Sequence, residues 1–271
     1  MFDLFYPADA TNTGRGVMKS LQMGAARAGV DAVSMTAYAP RPGSTLITFG
    51  AGGPDRLPHF RRHPGPVVAW DLGYWDRHGE DKRAIKFRVS IGDLHCPDRI
   101  MRGPAPGPER FEAAGLPTGR AADPAGPILL VGNSPKSIYT GAGGWTANAA
   151  RALRQRFPGR RILYRPKPGR GQDEAGVDHD GLSTAPIDEA LQGVSLVVCR
   201  HSNVAVDACR WGVPVVCADG AAAAIYPYEL DGQQPGEALR REFLHRLAWW
   251  QWSRYEMEDG QAWRWLQECL A

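Results

Sequence analysis

The 271-residue sequence holds no run of about 18 apolar residues, so no segment has the pattern of a membrane-spanning helix. The stretch 1–12 lacks a basic region followed by an apolar one, and no secretory signal is expected. No two of the five cysteines (Cys96, Cys199, Cys209, Cys217, Cys269) stand in C-x-x-C spacing. That argues against a zinc site and for reduced thiols in a cytoplasmic protein. We find no helix-turn-helix or zinc signature of a plain DNA-binding module. A Walker loop and a complete G-x-G-x-x-G fingerprint are also missing. Hydrophobic residues make up 43% and charged residues 23%, which excludes disorder as the main state.

The charge that is present is uneven. Residues 1–124 carry 16 basic and 13 acidic groups, residues 125–180 carry 9 and 4, and residues 181–271 carry 7 and 12. The front two thirds is therefore basic and the tail acidic. A basic surface attracts polyanions, nucleotides among them; a solvated arginine-rich surface gives the same count.

Short apolar runs alternate with helical patterns. Strands are expected at 2–6, 46–50, 67–72 and 85–90, with a helix over 17–28. The stretch 102–127 is rich in Pro, Gly and Ala and suits a linker. The alternation then restarts, with strands at 128–131, 161–164, 194–199 and 213–217 and helices at 146–157, 187–192 and 203–211. This plan predicts an α/β fold of two Rossmann-like lobes with parallel sheets. The lobes are expected at 1–124 and 125–234, with a cleft between them. A helical tail at 235–271 is expected to cross back onto the first lobe. In that tail Leu239, Phe243, Leu247 and Trp250 form one apolar stripe. The tryptophans 249, 250, 252, 263 and 265 are read as packing rather than as a base-stacking platform.

The most informative stretch is PIDEALQGVSLVVCRHSNVAVDACRWGVPVVCADG, residues 186–220. A buried strand ends at the polar turn Arg200-His201-Ser202-Asn203, where a helix begins. Free N–H groups at such a helix start attract phosphate, and ligands of open α/β sheets lie at that edge. Asp207, one turn into the helix, is positioned for ribose hydroxyls. Ser134 and Lys136 follow the first strand of this lobe, in a loop running through Gly141, Gly143 and Gly144. Glycines there let backbone N–H groups approach phosphate oxygens. Arg165 and Lys167, in Tyr164-Arg165-Pro166-Lys167-Pro168, close the next strand as candidate partners of a diphosphate.

The pattern of strand, His/Ser-rich turn, acidic helix and Gly212-Val213-Pro214-Val215-Val216 resembles the donor lobe of glycosyltransferases with the two-lobed GT-B fold. The Arg-x-Lys-Pro turn is similar to theirs as well. The resemblance covers about 125–220 by motif and 1–124 by architecture only. It implies a nucleotide-sugar donor, UDP-linked, as co-substrate, and no further cofactor. Donor-binding residues would be Ser134, Lys136, Arg165, Lys167, His201, Ser202, Asn203 and Asp207. We assign no D-x-D motif, and a metal-independent transfer is expected.

In the first lobe, Asp71 ends a strand within Trp70-Asp71-Leu72-Gly73-Tyr74-Trp75. A carboxylate there can accept the proton of an acceptor hydroxyl. Asp71 is the first candidate base and Asp9 the second; each has the alternative of capping a turn. Thr13, Gly14 and Arg15 open the first helix and, with Trp70 and Tyr74, form the expected acceptor side. His95 reads as structural. The tail, Trp249-Trp250-Gln251-Trp252 through Gly260-Gln261-Ala262-Trp263, resembles that of small bacteriophage enzymes that glycosylate hydroxymethylpyrimidines; this implies double-stranded DNA as acceptor, a polyanion that the basic front suits. A surface polysaccharide or a small molecule is the alternative acceptor. The third reading is a non-enzymatic nucleotide- or DNA-binding module. No membrane partner is expected.

Overall fold

Apolar strand runs and capped helices account for the two sheets of this chain. The computed structural model describes residues 1–134, 139–141, 143–167 and 176–271. Residues 1–106 carry β1 (Phe2–Phe5), α1 (Asn12–Arg27), β2 (Ala32–Met35), β3 (Thr45–Phe49), α2 (Leu57–Arg62), β4 (Val67–Leu72), β5 (Lys86–Ile91) and α3 (Pro97–Arg102). Residues 107–248 carry α4 (Glu109–Ala113), β6 (Ile128–Val131), α5 (Trp145–Arg156), β7 (Ile162–Arg165), β8 (Gly181–Leu182), α6 (Ile187–Ala190), β9 (Leu196–Cys199), α7 (Val204–Arg210), β10 (Val215–Cys217) and α8 (Glu237–Ala248). Residues 249–271 carry β11 (Gln251–Ser253), α9 (Arg254–Glu258) and α10 (Gln261–Leu270).

The chain divides into two units, Met1–Pro106 with Trp249–Ala271, and Gly107–Ala248. The expected boundaries at 124 and 235 therefore shift. Gly119 and Ala121 donate backbone hydrogen bonds to Arg210 and Trp211 at the end of α7, which ties the Pro/Gly-rich stretch to the second unit. Helix α8 packs on α4 and α7 of that same unit. Only the chain from Trp249 onward joins the first unit.

The first sheet has the order β11-β5-β4-β3-β1-β2. Strands β1 to β4 are parallel, whereas β5 runs antiparallel to β4 and β11 antiparallel to β5. The expected all-helical tail is thus interrupted by a strand. The strand exists because Gln251–Ser253 finds an open edge, with Trp252 set against Phe87. Ser253 then caps α9 in a reciprocal capping box with Glu256. Helix α1 starts at Asn12, five residues before the expected start, because Thr11 caps it by accepting from the Gly14 N–H. The tail tryptophans are packing residues: Trp250, Trp252, Trp263 and Trp265 are buried. Leu239, counted in the apolar stripe, lies exposed on α8.

Buried Asp3 on β1 ties down the loop before β3. Its carboxylate accepts from the Ser44 hydroxyl, and from the Arg41 backbone N–H and Nε, both at 2.7 Å. Burial pushes its pKa up, but these hydrogen bonds and the Arg41 charge outweigh it and hold it below the usual 3.8. A lowered folded-state pKa contributes stability that is complete above the ordinary carboxylate value and is lost as pH falls below it. The denaturant midpoint of the first unit is therefore expected to fall steeply below about pH 4. In Asp3→Asn it should start lower and change less over that range. Equal slopes in the two proteins would remove Asp3 from the acid response.

The second sheet has the order β10-β9-β6-β7-β8, all parallel. Strands β6 and β9 are buried throughout, in keeping with a sheet covered on both faces. From β6 the chain first steps outward through β7 to β8, then returns to the other side of β6 with β9 and β10. The strand order therefore reverses between β6 and β9.

Candidate functional site

The reversal places two loops side by side at the carboxyl edge of the second sheet, one after β6 and one after β9. Such a switch point is where open α/β sheets bind ligands. The loop after β9 is Arg200–Asn203. Arg200 Nε donates to Asp219 at 2.8 Å and its Nη2 to the Thr140 carbonyl at 3.1 Å. His201 Nδ1 lies 3.2 Å from the same Asp219 carboxylate. The Ser202 hydroxyl accepts from the Val204 N–H at 3.2 Å, so it serves the start of α7. His201, Ser202 and Asn203 are all half-buried. Asp219 follows β10, so the sequence expectation missed it as the partner of this turn. Its position one residue before Gly220 at a strand end was the available signal.

On the other side of β6, Arg165 ends β7. Its Nη1 donates to the Ala185 carbonyl at 2.8 Å and to the carbonyl and hydroxyl of Ser183 at 3.4 Å. Burial pulls its pKa down and the more distant Asp207 pushes it up. Among the described residues no carboxylate hydrogen-bonds the Arg165 guanidinium. Lys167 is exposed beyond it, and Ser134 is half-buried after β6. Lys136 lies outside the described residues. Two further groups flank the β6 loop. Asn133 Nδ2 and Thr146 Oγ1 are buried with no hydrogen-bond partner among the described residues. The motif reading passed over both, although Asn133 adjoins Ser134 and Thr146 opens α5.

Asp207 is corrected in role. It is buried on α7 and accepts from Arg210 Nη2 at 3.1 Å. Arg210 also donates to Asp188 at 2.9 Å and to the Pro117 carbonyl at 2.9 Å. Trp211 Nε1 donates to Asp188 at 2.7 Å. This network anchors α7, so the structure gives Asp207 an internal ion pair where a ribose contact was expected. A D-x-D spacing does occur, at Asp178-His179-Asp180, contrary to the assignment above. Both carboxylates are held by Arg154, at 3.0 and 2.9 Å, and the Arg154 hydrogen bond takes the Asp180 pKa down to about 2. These carboxylates already have their cation.

In the first unit, Asp71 lies on β4 opposite Arg88 of β5. Its side chain is half exposed, accepts from the Leu72 N–H at 2.8 Å, and meets Arg88 Nη2 at 3.4 Å. Arg88 also reaches His95 Nδ1 at 3.1 Å and lies 5.9 Å from the Tyr74 ring centre. Burial pushes the Tyr74 phenol well up. Trp70, Tyr74 and Trp75 are 1%, 2% and 7% exposed, so the expected aromatic acceptor surface is absent. Trp70 closes the buried run of β4, and Tyr74 and Trp75 follow the strand where their backbone N–H groups donate to the buried Gln251 side chain. Asp9 is exposed in the loop between β1 and α1. Thr13 and Arg15 are exposed in the first turn of α1, while Gly14 is buried against Phe49.

No family model matches this chain, and no curated protein matches it by sequence. Solved structures do match it, among them two from one organism. The Thermosulfurimonas dismutans protein titled KpsC, beta Kdo 2,7 transferase, superposes with a TM-score of 0.53 at 13% identity, covering 97% of this chain and 100% of that one. The one titled KpsC, beta Kdo 2,4 transferase, gives 0.48 at 12% identity over 92% and 91%. The first likeness, together with the two sheets, fits an α/β fold of the two-lobed, GT-B-like kind.

Proposed function

We propose that the chain is a glycosyltransferase that takes a sugar from a nucleotide-sugar donor and adds it to a saccharide hydroxyl. The observation that carries this is the carboxyl edge of the second sheet. There the strand order reverses; among the described residues no carboxylate hydrogen-bonds Arg165, and Asn133 Nδ2 and Thr146 Oγ1 are buried without a partner. A cation and two uncommitted hydrogen-bond donors suit a nucleotide diphosphate or a sugar acid. Ser134, Lys136, Lys167, His201, Ser202 and Asn203 are the further donor contacts of this reading, and UDP is its nucleotide. Asp71, with Asp9 second, is assigned the acceptor proton. Metal independence belongs to the same proposal, and turnover should survive a chelator.

The name of the fold neighbour, a beta Kdo transferase, favours a surface polysaccharide acceptor over a DNA base. The burial of Trp250, Trp252, Trp263 and Trp265 favours it too, because these rings are not open to stack on a base. The test is calorimetry with a panel of nucleotide sugars, followed by transfer of labelled sugar to oligosaccharides, hydroxymethylated DNA and ordinary DNA. Arg165→Ala should weaken donor binding by roughly 1–3 kcal/mol, about 5- to 150-fold, with Arg165→Lys in between. Asp71→Asn should lower turnover by about 10²–10⁴ with donor affinity kept. A panel in which nothing binds sinks the enzyme reading. Label on hydroxymethylated DNA alone sinks the saccharide acceptor.

A further inference from the structure

Cys199 and Cys217 end the neighbouring parallel strands β9 and β10 as direct register partners, so their side chains leave the same face. Adjacent strands lie about 4.8 Å apart, within the Cα separation of about 4.4–6.8 Å that a disulfide requires. Both thiols are buried, with Cys199 Sγ donating to the Ser202 carbonyl at 4.0 Å and Cys217 Sγ to the Arg200 carbonyl at 3.4 Å. They differ in surroundings. Cys217 lies beside Gly220 and the short 3-10 turn Ala221–Ala224, and the neighbouring Cys199 thiol and the backbone of Gly220 and Ala223 draw its pKa down. These neighbours outweigh burial at Cys217, whereas the adjacent Cys217 and burial push Cys199 up. Strand β10 has three residues and is the outer strand of its sheet. On its outer side it is held by the Gln234 side chain at Val215 and by the Pro227 carbonyl at Cys217, with no further strand among the described residues, and local opening of this edge gives a small oxidant access.

We propose that Cys217 and Cys199 form a peroxide-reactive dithiol pair that closes to a disulfide beneath the Arg200–Asp219 turn. The Cys217 thiolate attacks one oxygen of hydrogen peroxide, the O–O bond breaks, and hydroxide leaves, giving a sulfenic acid at Cys217. The Cys199 sulfur then attacks the Cys217 sulfur. The S–O bond breaks, the Cys199 proton joins the departing hydroxide, and water leaves. Peroxide is reduced and the two thiols lose two electrons between them; a dithiol reductant reverses the step. The cross-link joins the roots of the two loops that carry Arg200, His201 and Asp219. Cys217 Sγ also lies 3.4 Å from the Arg200 carbonyl, so drawing that sulfur toward Cys199 acts on the turn directly.

The test is independent of any transferase activity. The native protein is treated with hydrogen peroxide, alkylated, and digested with trypsin without reductant. Trypsin separates the three buried cysteines of this region, because Cys199 falls in 171–200, Cys209 in 201–210 and Cys217 in 211–240. The expected product is peptide 171–200 linked to 211–240, lost on adding dithiothreitol. In Cys199→Ser the link should disappear and dimedone should label Cys217 instead. The proposal is overturned if Cys269 is oxidised while 199 and 217 stay as alkylated thiols. It is equally overturned if Cys217 pairs with Cys209. The wild-type digest decides even where the serine variant fails to fold.

Discussion

Replacing Arg210 by alanine is expected to destabilise the second unit by about 3–5 kcal/mol, the scale for breaking a buried ion pair from one side. The Arg210 and Asp207 side chains are 5% and 8% exposed, so solvent screening does little for either. Alanine removes the cation that compensates the Asp207 charge, and also the donor to the Pro117 carbonyl that holds the preceding segment. Asp188 is about half exposed and suffers less. Replacing both partners by apolar residues of similar volume, as in Arg210→Met with Asp207→Leu, should recover most of the loss, since no charge is then left buried. Hydrogen exchange of the second-unit strands measures this without assuming that both units unfold together. A loss below about 1 kcal/mol for Arg210→Ala would mean that the network is not structural. The ribose role for Asp207 would then regain its force.

The apolar strands were legible because their signal is local. Val67–Leu72 and Ile128–Val131 occur where their apolar runs put them, and the turn after β9 follows from a buried strand meeting small polar residues. What the sequence hid is long-range. Strand β2 is half exposed and carries no apolar run, so only its pairing with β1 makes it a strand. Strand β11 sits inside a tryptophan-rich stretch with helical spacing, and its state is decided by β5, more than 150 residues away. The same limit applies to side-chain roles. Asp207 matched a ligand pattern, but its partner Arg210, three residues on, takes the carboxylate. Asp219 carried no motif, yet it holds Arg200 and His201 together. Trp70 and Tyr74 read as a rim because they surround a candidate base, whereas burial puts them in the core.

A second large effect is expected at Gly24, on the face of α1 that packs against α9. A Cβ there would overlap the Met257 carbonyl oxygen and lie 3.2 Å from Cδ1 of Trp263. The colliding atom is backbone, and that backbone is pinned. Ser253 and Glu256 cap α9, Glu258 accepts from Ser20 at 2.7 Å and pairs with Arg83, and Trp263 Nε1 donates to the Leu21 carbonyl at 2.7 Å. Alanine in mid-helix normally gains about 1 kcal/mol over glycine, but overpacking a fixed contact costs about 1–3 kcal/mol and sometimes more. Here no flexible side chain can yield, so Gly24→Ala should destabilise the first unit by about 2 kcal/mol or more. Tryptophan fluorescence during urea unfolding reports on this, because every tryptophan except Trp145 and Trp211 belongs to the first unit. Gly29→Ala is the control. Its φ of +65° disfavours alanine, but no atom lies within 4 Å of the new Cβ, so it isolates backbone strain of about 1 kcal/mol. If Gly24→Ala is as stable as the parent, helix propensity has won, and α9 does not press on α1 as closely as these contacts require.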